Sequence, residues 1–79
     1  MIPKRVRRIL GLHRHHRKPR SIGGTNKEEN ISLVCSDKHE AWHRLFRNHP
    51  PEIIAEIINS TWLDPDFMLV VKPRPKKVR

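Results

Sequence analysis

The 79-residue chain contains a single cysteine and no long apolar run. One thiol, Cys35, excludes an internal disulfide and any multi-cysteine zinc site, and it points to a reducing cytoplasm. No stretch approaches the roughly 20 apolar residues that span a bilayer. The basic N-terminal residues lead into no hydrophobic region with a small-residue cleavage site, which argues against secretion. At 9.4 kDa the chain is also too short for a barrel, a doubly wound sheet or two lobes. A chain of this size buries only about 60% of its unfolded surface, so a metal, a partner or self-association is expected to support it.

Acid is missing from both ends. Residues 1–20 carry Lys4, Arg5, Arg7, Arg8, Arg14, Arg17, Lys18 and Arg20 with no Asp or Glu. Residues 72–79 repeat the imbalance with Lys72, Arg74, Lys76, Lys77 and Arg79. All eight acids lie between, and the formal net charge is +9. Cationic ends on a mildly acidic body suit a polyanion, because each contacted phosphate releases condensed counterions. An anionic membrane is the weaker candidate, since no basic amphipathic helix with an aromatic face accompanies the charge. Nucleic acid is the expected partner, DNA before RNA, and no membrane.

The chain reads as a basic arm over 1–11, a body over 12–71 and a basic tail over 72–79. Leu12–Arg17 is dense in histidine, and Lys18–Glu29, with a proline and the Gly23-Gly24 pair, reads as a loop. Asn30–Ser36 predicts a strand buried mainly on the face of Ile31, Leu33 and Cys35. A helix follows, with Ser36 as its N-cap, and runs to about Asn48 before Pro50-Pro51 stops it. A second helix starts at Pro51, with Ile53, Ile54, Ile57 and Ile58 forming a stripe that Trp62 continues. Asp64-Pro65-Asp66 predicts a turn and Phe67–Val71 a short strand. The small core and the Ile/Trp helix suit a homodimer.

Six histidines are the unusual feature. His15 and His16 are adjacent, and His39 and His43 lie four apart, one helical turn above each other on one face. Trp42, Leu45 and Phe46 occupy the neighbouring face, so the two imidazoles border the apolar stripe. Such a pair can close on one divalent ion, with a strand histidine as a third ligand. Taken singly, each element has a plainer reading: surface histidines, a phosphate-binding patch, an ordinary turn. His13 reads as a phosphate contact or a solvent-exposed side chain, and His49 as a helix-end residue.

In order, the chain shows a His-His pair, a proline three residues on, a Gly-Gly turn, an Asn opening the next strand, and H-x3-H on a helix. This stretch, His15 to His43 (HHRKPRSIGGTNKEENISLVCSDKHEAWH), resembles the HNH, or ββα-metal, endonuclease family. The resemblance implies an α+β fold: a β-hairpin with a long loop packed on a helix, here extended by a second C-terminal helix and basic tails. It implies His15, His39 and His43 as metal ligands and His16 as general base. Asn30 would orient that base by hydrogen bonding to its backbone across the hairpin. The chain departs from many relatives in lacking their paired Cys-x-x-Cys zinc ligands, and in placing Arg17 and Lys18 after the His-His pair.

The implied chemistry is hydrolysis of phosphodiester bonds. It requires a deprotonated water, a cation on the developing charge and help for the leaving 3′ oxygen. An imidazole titrating near 6.5 suits the first task. One divalent ion suits the second. Three nitrogen ligands favour Zn²⁺, Ni²⁺ or Mn²⁺, and the family's wider usage keeps Mg²⁺ open. The cationic side chains of both ends, Arg5, Arg7, Arg8, Arg14, Arg17, Lys18, Arg20, Lys72, Arg74, Lys76 and Lys77, would grip phosphates without reading sequence. The competing reading is a non-catalytic basic protein, bound to DNA or associated with RNA or the ribosome, in which the histidines form a structural clip. Such a clip has no use for His16.

Removing residues 72–79 is expected to weaken DNA binding and flatten its salt dependence, by up to about five phosphate contacts. A titration at several salt concentrations checks this, and an unaltered slope would show that the tail does not touch nucleic acid.

Overall fold

The computed structural model describes residues 2–75, so Lys76 and Lys77 lie outside the described residues. The chain divides into two units, Met1–Asn48 and His49–Arg79. The division falls inside the body expected over 12–71, between Asn48 and His49, one residue before the Pro50-Pro51 pair.

In the first unit, part of the basic arm is helical. α1 spans Lys4–Ile9, entered through Pro3 with φ already near the helical value. Lys and Arg are good helix formers, and the helix ends where Gly11 takes a positive φ of 66° and turns the chain. β1 (Leu12–His16) then pairs antiparallel with β2 (Ile31–Cys35), with Leu12 opposite Cys35 and His16 opposite Ile31. α2 (Ser36–Phe46) follows β2 with no connecting loop. Ser36 donates its N–H to the Gly11 carbonyl oxygen at 2.8 Å, tying the start of the helix to the entrance of β1. The α+β class and the hairpin-plus-helix arrangement expected from the sequence are present.

The strand's buried side differs from expectation. Directly opposite residues of an antiparallel pair share a face, so His13, His15, Ser32 and Val34 form one side of the hairpin. Ser32 and Val34 are half-buried, whereas Leu33 and Cys35 are exposed. The reason is the immediate start of α2 after Cys35, which folds the helix back over the histidine side. Ile31 and Leu33 are left on the opposite side.

The helix also differs at its ends. Cys35, not Ser36, occupies the N-cap position, and no side chain caps the helix. The helix stops at Phe46 instead of about Asn48, because Arg47 adopts a positive φ of 49°. Phe46 is the one apolar side chain among the described residues that is properly buried, with Trp42 packed at a ring-centroid distance of 4.5 Å.

The long loop between the strands is held by its own polar groups. The Asn30 side-chain oxygen accepts the Lys18 N–H at 2.7 Å. Its amide nitrogen donates to the carbonyls of Lys18, at 3.1 Å, and Thr25, at 2.7 Å. Gly23 has φ 97°, and a Cβ on Gly24 would collide with the Lys18 carbonyl. The Gly-Gly pair is therefore required by one reversed backbone and one close approach.

In the second unit, Pro50 caps α3 (Pro51–Ile57), which widens into a π turn over Ile58–Trp62. Ile54, Ile57 and Ile58 are half-buried, as the stripe predicts, whereas Ile53 at its start is exposed. Trp62 is not part of it. The wider turn carries more residues per revolution, so Trp62 falls out of line with Ile58 and is 62% exposed. The turn at Asp64 forms, with the Phe67 N–H donating to the Asp64 carbonyl at 3.0 Å. The expected strand over Phe67–Val71 does not form. Its backbone partner is a side chain: Asn59 accepts the Leu69 N–H at 2.8 Å and donates to the Leu69 carbonyl at 2.9 Å. No helix among the described residues is long and apolar enough to cross a membrane.

Gly24→Ala is expected to destabilise the protein by more than about 1 kcal/mol, because the added methyl meets backbone and not a flexible side chain. Urea denaturation checks this; an unchanged midpoint would show that the loop yields freely.

Candidate functional site

β1 and α2 bring their histidines to one place. His15 projects from the covered face of β1, and His39 and His43 come from successive turns of α2. Ring nitrogens of the three lie within 4.8 Å of one another. The His39 and His43 Nε2 atoms are 2.9 Å apart, close enough that only one proton fits between them. The His15 ring stands edge-on to His39, His43 and Trp42, with centroids 5.2, 5.7 and 5.9 Å away. Its Nδ1 is buried and has no hydrogen-bond partner among the described residues.

An orphaned nitrogen beside two crowded ones fits a divalent cation. A buried nitrogen without a hydrogen-bond partner is costly, and a metal is the partner that three neutral imidazoles share best. The electrostatics agree. Burial holds the His15 imidazole below its ordinary pKa of 6.5, and repulsion from His43, His16 and Arg17 adds to the effect. His39 is lowered as well, first by burial and then by His43, His15 and His13, with Glu40 pulling the other way. Both rings are thus biased toward the neutral form that ligates metal.

His16 ends β1, and its Nε2 lies 2.7 Å from the side-chain oxygen of Asn26. Since that oxygen only accepts, the neutral ring carries its proton on Nε2 and its lone pair on Nδ1. His16 lines a cavity of about 270 Å³ together with His39, His43, Arg14 and Arg20. The candidate base, two of the three candidate ligands and two arginines therefore line a common space.

A family model for HNH endonucleases matches residues 3–44, more than half of the chain. The chain belongs to the HNH endonuclease family. No curated protein and no solved structure matches it. The matched segment of this HNH protein runs from α1 through the two strands to the last turn of α2, so it contains every residue of the histidine site.

Asn30 occupies the position of the motif's asparagine but does not bond to the His16 backbone, the partner expected from the sequence. Its carboxamide reaches Lys18 and Thr25 instead, because the backbone opposite it is already beyond the ladder: the Arg17 N–H donates to the Asn30 carbonyl at 2.8 Å. The group on the His16 ring is Asn26, which sequence reading missed. Nothing in the local pattern marks it, since loop conformation alone brings it there. The cationic residues disperse. Arg14 and Arg20 line the His16 cavity, whereas the Arg17 guanidinium donates to the Glu29 carbonyl at 3.2 Å. Arg5 and Arg8 are exposed on α1, Arg7 is half-buried, Lys18 is exposed in the loop, and Lys72 and Arg74 are exposed in the second unit.

Protonating the lowered imidazoles opposes folding. Between the lowered values and 6.5 the unfolded chain binds protons that the folded chain does not, so stability is complete above 6.5 and lost as pH falls through that window. In chelator, the Tm is expected to drop between about pH 7.5 and about pH 5.5, and to drop less in His15→Gln. Equal drops in the two proteins would show that His15 is not held neutral by the fold.

Proposed function

We propose that this HNH protein is a metal-dependent endonuclease that hydrolyses phosphodiester bonds in nucleic acid, with DNA as the favoured substrate. The observation that carries the reading is the shared cavity, in which His16 faces the same space as His39 and His43. A base alone, or a metal clip alone, has no need of that juxtaposition.

His16 acts as the general base. The Asn26 side-chain oxygen accepts a hydrogen bond from Nε2–H and so leaves Nδ1 to take a proton from the attacking water. The same hydrogen bond fixes the plane of the ring, and a base held in place needs no reorganisation as the proton moves. Arg14 and Arg20, on the cavity wall, offer guanidinium N–H groups to the non-bridging oxygens of the phosphate. His15, His39 and His43 would hold one divalent ion, with Zn²⁺, Ni²⁺, Mn²⁺ and Mg²⁺ as the candidates. Bound there, it supplies Lewis-acid stabilisation of the charge developing on the phosphate and the leaving 3′ oxygen.

Asn30 contributes at one remove. By bonding Lys18 and Thr25 it closes the loop that carries Asn26, and so sets where the Asn26 oxygen meets His16. The remaining exposed cations, Arg5, Arg8, Lys18, Lys72 and Arg74 among the described residues, supply sequence-independent attraction to the phosphate backbone. The lone exposed thiol, Cys35, accords with work in a reducing cytoplasm.

The purified protein is expected to nick or linearise supercoiled plasmid with Mn²⁺, Ni²⁺ or Mg²⁺, and EDTA is expected to stop it. His16→Ala should keep metal binding and lose cleavage by roughly 10²–10⁴-fold. Full cleavage by the variant would remove His16 as the base. Tight DNA binding with no cleavage by the wild type under any of these ions would favour the non-catalytic reading.

A further inference from the structure

His13 lies outside the three converging ligands, yet it touches one of them. Its Nδ1 is 3.0 Å from the Nδ1 of His39, and the two rings meet edge to face with centroids 5.2 Å apart. His39 is thereby engaged at both nitrogens, since its Nε2 lies 2.9 Å from the Nε2 of His43. The placement is not accidental to the strand. His13 is two residues before His15, so the pleat puts both on the side of β1 that α2 covers, and pairing with Val34 and Ser32 of β2 holds them there.

A neutral imidazole has one N–H and one lone pair. If Nδ1 of His39 carries the proton, Nε2 is left to bind a cation; if the proton sits on Nε2, the ring cannot ligate from that side. Two facing Nδ1 atoms must divide the roles, one donating and one accepting. We propose that His13 is a positioning residue for the metal site: its Nδ1 accepts the His39 Nδ1–H, so that His39 presents Nε2 toward His15 and His43. The proposal rests on the reading that these three histidines hold a divalent ion. His13 is not a fourth ligand, because its contact is on the far nitrogen of the His39 ring. It acts on the site through His39, by selecting the tautomer and by holding the ring's rotation before any ion arrives. β1 therefore delivers one ligand directly and orients a second.

Titration of the full chain with Zn²⁺ and Co²⁺ near neutral pH, following Co²⁺ by its ligand-field absorption, tests this without recourse to activity. His13→Ala is expected to raise the Kd for Zn²⁺ by roughly 10–100-fold. The Co²⁺ band should keep its position, since the ligand set is unchanged, whereas His39→Ala should shift or abolish it. His13→Asn places a carbonyl oxygen near the position of Nδ1 and should restore most of the affinity. His13→Gln, which extends its oxygen further out, should not. Unchanged affinity in His13→Ala would overturn the proposal, as would equal weakening by Ala, Asn and Gln, which would reduce His13 to packing. If the wild type bound neither ion, the reading of the three histidines as a metal centre would fall too; binding by the wild type with no loss in His13→Ala would sink the His13 proposal alone.

Discussion

The packing of α2 onto the histidine side of β1 is the constraint on which the first unit depends. It sets three imidazoles within a few ångströms, with no acid among their hydrogen-bond partners and Phe46 the one well-buried apolar side chain among the described residues. Close packing of that kind is normally repaid by apolar burial. Here the apolar return is small, and burial with repulsion from neighbouring rings disfavours the charged forms of His15 and His39. A cation shared by the three rings, as proposed, would reverse the balance, because the same nitrogens that repel as imidazolium groups ligate as neutral ones. On that proposal, metal affinity and fold stability are two readings of one arrangement.

The loop works on a second principle. Its fourteen residues between the strands are organised by one carboxamide, that of Asn30, bonding across to Lys18 and Thr25, and by two glycines that let the backbone reverse and approach. This polar bracing needs no apolar core. It also has a chemical consequence, since the loop so braced carries Asn26 to the His16 ring. Motif asparagine and candidate base are thus linked through a third residue instead of by direct contact.

The second unit follows different rules. Its helix is opened by Pro51, widened into a π turn and pinned to the following segment by the Asn59 carboxamide. Asn59 and Asn30 play parallel parts, each using the donor and the acceptor of one amide to hold a backbone that has no strand beside it. Where a short chain lacks neighbouring strands, a carboxamide is the side chain best suited to replace the ladder, because it offers both groups in one plane.

Much of the site was legible in the order of residues. Two adjacent histidines, a distant asparagine and an i, i+4 pair on a helix are local patterns, and their periodicities are dictated by backbone geometry that any strand or helix must obey. The α+β class, the hairpin, the start of α3 at Pro51 and the convergence of His15, His39 and His43 follow from them. His13 could have been found the same way, as the residue two before His15 on a strand. What the sequence could not reveal is which side of β2 is covered, since Ile31 and Leu33 are the more apolar pair yet Ser32 and Val34 face the helix. The missing connection between β2 and α2 decides that, and apolar preference yields to it. Nor could the sequence identify Asn26, because a loop residue meets its partner only after the loop has closed. Local chemistry names the residues that can act; long-range closure of the chain chooses the atoms they meet.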